Sequence, residues 1–133
     1  AILGIRVDIV EVAAIEAKLD GMAAQLATTF FTLQNNLLEQ DAITFAAALR
    51  ILDIELDMNN LTQACTVREH SQVDGVNYRQ VSAKAFPGDF DPGTKAVVCG
   101  HTQKHAAYKI TLQSSVLEGA PRDIPIRYTT RAI

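Results

Sequence analysis

Turn chemistry in the second half of the chain constrains the fold more than any other feature. Asp74-Gly75, Pro87-Gly88 and Asp91-Pro92-Gly93 fall close together. In each, a residue that favours a tight turn meets a glycine that accepts positive φ. The segments around and after them, Asn77 to Ala85, Lys95 to Cys99, Tyr108 to Gln113 and Ile124 to Thr130, are short and rich in strand-forming residues. An antiparallel meander is expected there, with one helix around His101 to Ala107.

The first half has a different texture. Ile2 to Val10 is a nearly continuous β-branched run and reads as a buried strand. Val12, Ile15 and Leu19 then recur at spacings of three and four, a helical stripe that Gly21 can end. Met22 to Glu39 and Ala42 to Met58 are expected to be helical because Ala, Leu and Gln supply propensity. Asp53, Glu55 and Asp57 nevertheless alternate with Ile54, Leu56 and Met58, which suits a half-exposed strand equally well. A strand and helices followed by turn-linked strands gives an α+β class, an antiparallel sheet with helices packed on one side. At 133 residues the chain is expected to be one domain, 1–133. A small sheet with an apolar second face is expected to trimerise to cover it.

Composition removes several classes of function. The longest apolar stretch, Ala42 to Leu49, is far short of the roughly 20 residues of a membrane span. Asp8 and Glu11 stand where a signal peptide would be apolar, so a cytoplasmic address is expected, with Cys65 and Cys99 as free thiols. A net charge of −3 without an aromatic-basic surface argues against nucleic acid. Residues 1–60 hold nine acids and three bases, and residues 61–133 hold six acids and nine bases. Such asymmetry suits a metal beside a phosphate, or simply an uneven surface.

Ala1 to Leu19, AILGIRVDIVEVAAIEAKL, resembles the opening of the bacterial holo-(acyl carrier protein) synthases, whose pattern runs roughly G-I-G-T-D-I-V-E-I-x-R-I-E. Gly4, Asp8, Ile9, Val10, Glu11, Ile15 and Glu16 carry the match in unbroken register. Phe45 to Glu55 is similar to that family's A-x-R-F-A-x-K-E helix, with Arg50 and Glu55 on its arginine and glutamate. Lys84-Ala85-Phe86 is similar to its K-A-F-G step. The chain departs from the pattern at Arg6-Val7, Ala14, Ile54, Asn59 and Gln80.

The resemblance implies transfer of 4′-phosphopantetheine from coenzyme A to a serine of acyl carrier protein, with Mg²⁺ on the pyrophosphate and active sites between the subunits of a homotrimer. Asp8 and Glu55 would be the catalytic metal ligands, since Mg²⁺ is usually held by one or two carboxylates plus phosphate oxygens and water. Arg50 and Lys84 would contact coenzyme A. The alternatives are an Asp8 that caps a helix, a Glu55 on a solvated face and a surface Lys84. Taken with the departures, they describe a catalytically degenerate homologue, a binding or structural trimer.

Two smaller groups stand apart. Cys99, His101 and His105 are zinc-ligand types without a fourth partner, or else a polar helix face. Arg122, Arg127 and Arg131 would line a phosphate-binding edge or guard an exposed strand. For the transferase reading, incubation with apo carrier protein, Mg²⁺ and coenzyme A should add the phosphopantetheine mass to the carrier; an unchanged carrier together with no coenzyme A binding would reject it.

Overall fold

Strand β3, Arg50–Asp57, shows how the chain buries its apolar residues. Leu52, Ile54 and Leu56 are wholly buried, whereas Glu55 and Asp57 are exposed. That alternation has the period of two that places successive side chains on opposite faces of a sheet. In the computed structural model, which describes residues 25–86 and 96–132, every regular element is a strand. The others are β1 (Gln25–Leu33), β2 (Gln40–Phe45), β4 (Cys65–Ser71), β5 (Arg79–Phe86), β6 (Ala96–Lys104), β7 (Tyr108–Ser114) and β8 (Arg122–Ala132).

The strands form two antiparallel four-stranded sheets, ordered β1-β8-β3-β6 and β2-β7-β4-β5. Chain neighbours such as β1 and β2 lie in different sheets, so most connections cross between the layers. This double Greek-key order is that of a jelly roll. Its core is the facing inner rows: Leu52, Ile54 and Leu56 with Ile124 and Ile126 on one side, Val67, Ile110 and Leu112 on the other. Each such side chain contributes about 1.5–3 kcal/mol on burial. Cys65 and Cys99 are also buried, as thiols that do not pair with each other, and burial together with the nearby Glu118 carboxylate pushes the Cys65 thiol up to about 12.

The α+β expectation is overturned. Met22 to Glu39 contains β1, and Ala42 to Met58 contains the end of β2 and all of β3. The reason is tertiary: Ala27, Phe31 and Leu33 turn to the partner layer while Leu26, Thr28 and Phe30 stay outside, an alternation that no helix face could bury. The alanines that argued for helix, Ala46 to Ala48, lie in the turn between β2 and β3. The expected helix at His101 to Ala107 is instead the end of β6 and the short connection that carries the chain across to β7 in the other sheet. The four expected strands of the second half are present as β5, β6, β7 and β8. The strand at Ile2 to Val10 and the helical stripe after it lie outside the described residues.

One end of the sandwich is stitched by a buried carboxylate. Glu118, in the β7–β8 connection, accepts hydrogen bonds from the Thr62 amide at 3.0 Å, the Thr62 hydroxyl at 2.6 Å and the Gln63 amide at 3.0 Å. The Arg122 guanidinium lies 3.5 Å away. Beside it, the Gly119 amide donates to Asn35 Oδ1 at 3.0 Å, from a glycine at φ +88° that a side chain would strain. At the other end, Asp74 holds the β4–β5 turn by accepting from the amides of Val76 and Asn77, and these bonds, Asn77 first, hold its carboxyl down to about 2.

Burial pushes the Glu118 carboxyl up, but the Thr62 hydroxyl, the two amides and Arg122 together outweigh it, so its pKa lies below the ordinary 4.5. A depressed native pKa contributes stability above the unfolded value and loses it as pH falls through the native one. Glu118→Gln should therefore cost about 1.5–3 kcal/mol in urea unfolding at neutral pH, and the difference from the parent should shrink as pH falls below 4.5 and through the lowered native value. A constant difference across that range would refute the ionic role.

Candidate interaction surface

The outer face of the β1-β8-β3-β6 sheet carries the side chains that the core excludes. Cross-strand register sets them in rows: Thr28 stands opposite Arg127, which stands opposite Glu55, and one step along the strands Phe30 stands opposite Pro125 and Asp57 opposite Ala96. Pro125 has no amide hydrogen to give a ladder, and the β3–β8 pairing stops at Leu56 and Ile126, one residue short of it. There the face sinks into an open depression of about 390 Å³ lined from all four strands, including Thr28, Glu55, Asp57, Ala96, Pro125 and Arg127.

Two features make this face unusual. Leu26 and Phe30 are 61% and 65% exposed on β1, large apolar groups left in water. Glu55 and Arg127 sit directly across from one another, yet they form no ion pair among the described residues. Exposed charges of both signs thus lie beside exposed apolar groups on one surface.

The residues expected to bind coenzyme A and metal are scattered over the fold. Asp8 lies outside the described residues. Glu55 projects from the outer face of one sheet. Arg50 opens β3 on its inner side, half-buried, with its guanidinium 5.7 Å from the Phe45 ring centre, a cation–π contact. Lys84 belongs to the other sheet, opposite Val67 on the edge strand β5. Among the described residues, no group of three His, Cys, Asp or Glu side chains is arranged to hold a metal. Of the zinc candidates, Cys99 is buried in the core and His105 is exposed in the β6–β7 turn. Of the arginines, Arg127 and Arg131 are on the outer face and Arg122 turns to Glu118.

Polar side chains elsewhere make structural networks. Tyr108 and Ser82 both donate to the Glu69 carboxylate between the layers, and burial followed by that carboxylate raises the Tyr108 pKa. On the outside of the second sheet, Thr111 donates to Glu39 at 2.6 Å and the His70 ring lies 2.9 Å from the same oxygen. The Thr111 bond first, opposed by burial and aided by His70, lowers the Glu39 pKa. The helix reading hid Phe30 and Thr28 as surface residues; the signal that marks their strand is the Thr-Thr-Phe-Phe-Thr composition of β1.

No family model and no curated protein matches the chain. Among solved structures it is similar to a Bacillus endospore appendage protein described as forming disulfide-linked pili, with 11% identity, 83% of this chain and 88% of that chain covered and a TM-score of 0.51. It is similar to the capsid structure of Helicobacter pylori bacteriophage KHP30 at 8% identity, with 82% and 93% covered and a TM-score of 0.50. A Yersinia pseudotuberculosis mitogen aligns over 84% and 88% at 11% identity with a TM-score of 0.48. At these identities the likeness is one of fold, an all-β sandwich.

Arg50 offers a direct check on the placement of the expected site. Its Nε and Nη2 are enclosed without a hydrogen-bond partner among the described residues, and burial lowers its pKa. Removing enclosed, unsatisfied donors relieves a penalty of about the size of the cation–π contact that is lost. Arg50→Met should therefore leave unfolding free energy within about 1 kcal/mol of the parent; a loss of about 3 kcal/mol or more would mean that the guanidinium has a strong partner.

Proposed function

We propose that this chain works as an assembly module, a jelly-roll subunit whose surface binds further copies of itself. The observation that carries the reading is the amount of large apolar side chain held in water by an otherwise ordered sandwich. Leu26 and Phe30 lie on one sheet face, Leu37, Leu38, Val116 and Leu117 on the connections at one end, and Leu49, Val73 and Val76 at the other, all at least half exposed. Single exposed apolar groups need no explanation, but sets of them on one face and both ends fit surfaces that are covered in use. The binding or structural role expected for a degenerate homologue belongs to the same class.

The appendage and capsid proteins add that this fold occurs in pili and capsids; the reading itself rests on the surface. Both cysteines are buried, so contacts between copies are non-covalent in this account. Phosphopantetheine transfer has weaker support: Glu55, Arg50 and Lys84 stand on different faces and sheets, and transfer needs them around one pyrophosphate.

Sedimentation velocity from about 1 µM to about 1 mM, the range of weak to moderate affinities, should show the average mass rising with concentration, unchanged by reductant. A constant monomer mass throughout would overturn the proposal. In the carrier-protein incubation this reading expects an unchanged carrier mass, and a phosphopantetheine increment would restore the transferase.

A further inference from the structure

We infer that the outer face of the β1-β8-β3-β6 sheet is itself a contact, closed by a second copy of this chain across a two-fold axis lying in the face along the strands, between β8 and β3. This rests on the assembly reading and names its surface. Charge on this one face is self-complementary. Glu55 and Arg127 occupy the same cross-strand row on the two central strands, exposed and without an ion pair among the described residues.

Rotation by 180° about an axis between those strands exchanges their columns. Arg127 of each copy then lies over Glu55 of the other, giving two equivalent ion pairs from one row. Such self-complementarity is what an isologous contact requires.

The same operation fits the apolar groups. It carries β1 over the partner's β6. Phe30 shares a row with Pro125, Asp57 with Ala96, and Pro125 and Asp57 lie at the same level, one step beyond the Leu56–Ile126 pair. Phe30 of one copy therefore meets Ala96 of the other, a large ring over a small side chain that lines the depression. A single axis thus satisfies the exposed ring, the depression and both unpaired charges.

A four-stranded face of this kind measures roughly 20 Å by 20 Å, about 400 Å² in projection, which is the scale of a weak, concentration-dependent dimer. Two-fold closure stops at two copies, so this face gives a dimer and not the trimer expected from the sequence.

Charge reversal tests the contact. Arg127→Glu and Glu55→Arg, both at exposed positions, should each weaken self-association at least about tenfold, because every copy then sets like charges together. Mixed in equal amounts they should associate with each other about as strongly as the parent with itself: Glu at 127 meets Arg at 55, and the unaltered Glu55 and Arg127 meet at the second pair. Phe30→Asp should weaken association in the same sedimentation assay, and circular dichroism should show all three folded.

Parent association with restoration in the mixture supports the contact. Parent association that the single variants leave intact, or that the mixture does not restore, overturns this face while the assembly reading stands. A parent that never associates overturns both.

Discussion

The side chains of Leu52, Ile54 and Leu56 face Ile110 and Leu112 across the sandwich, and the register of that contact governs the rest of the molecule. Side chains on a strand alternate, so fixing three apolar residues inward fixes Asp53, Glu55 and Asp57 outward. A slip of one residue would bury three carboxylates without partners, at a cost no domain of this size could offset. The acidic column of the outer face is therefore a direct consequence of core packing. So is its basic neighbour, since Ile124 and Ile126 turn inward and leave Arg127 outside.

The second layer obeys the same rule with one exception that it satisfies chemically. Glu69 falls on an inner position of β4, and Tyr108 and Ser82 meet its carboxylate with hydroxyl donors. Glu118 is handled likewise by amides and a hydroxyl at the loop end. Buried carboxylates here are thus held by local donors, which leaves Glu55 and Arg127 on the outer face, without an ion pair among the described residues, as the charges able to act between molecules.

How far the sequence revealed this differs between its halves. Turn residues at Asp74-Gly75 and the β-branched segments beyond Asn77 made the strands of the second half legible, because local conformational chemistry and the fold agree there. In the first half they disagree. Ala42 to Met58 has helical propensity in its alanines, yet those alanines form a turn and the residues after them alternate; the alternation was visible, but only the partner sheet could decide it. The outer face was legible in part, as Glu55 and Arg127, with their roles assigned through a resemblance carried mainly by residues 1–19. Their cross-strand pairing was not legible, since it joins residues 72 positions apart through strand order that no local pattern encodes.

Coverage of the outer face by another copy of the chain would shield its carboxylates from solvent. Carbodiimide labelling of carboxylates, read by peptide mass spectrometry at low and high protein concentration, reports this directly. Labelling of Glu55 and Asp57 should fall as concentration rises, while Asp41, exposed on the other sheet, keeps its reactivity. Equal labelling of Glu55 and Asp57 at both concentrations, under conditions where the protein is associated, would contradict it.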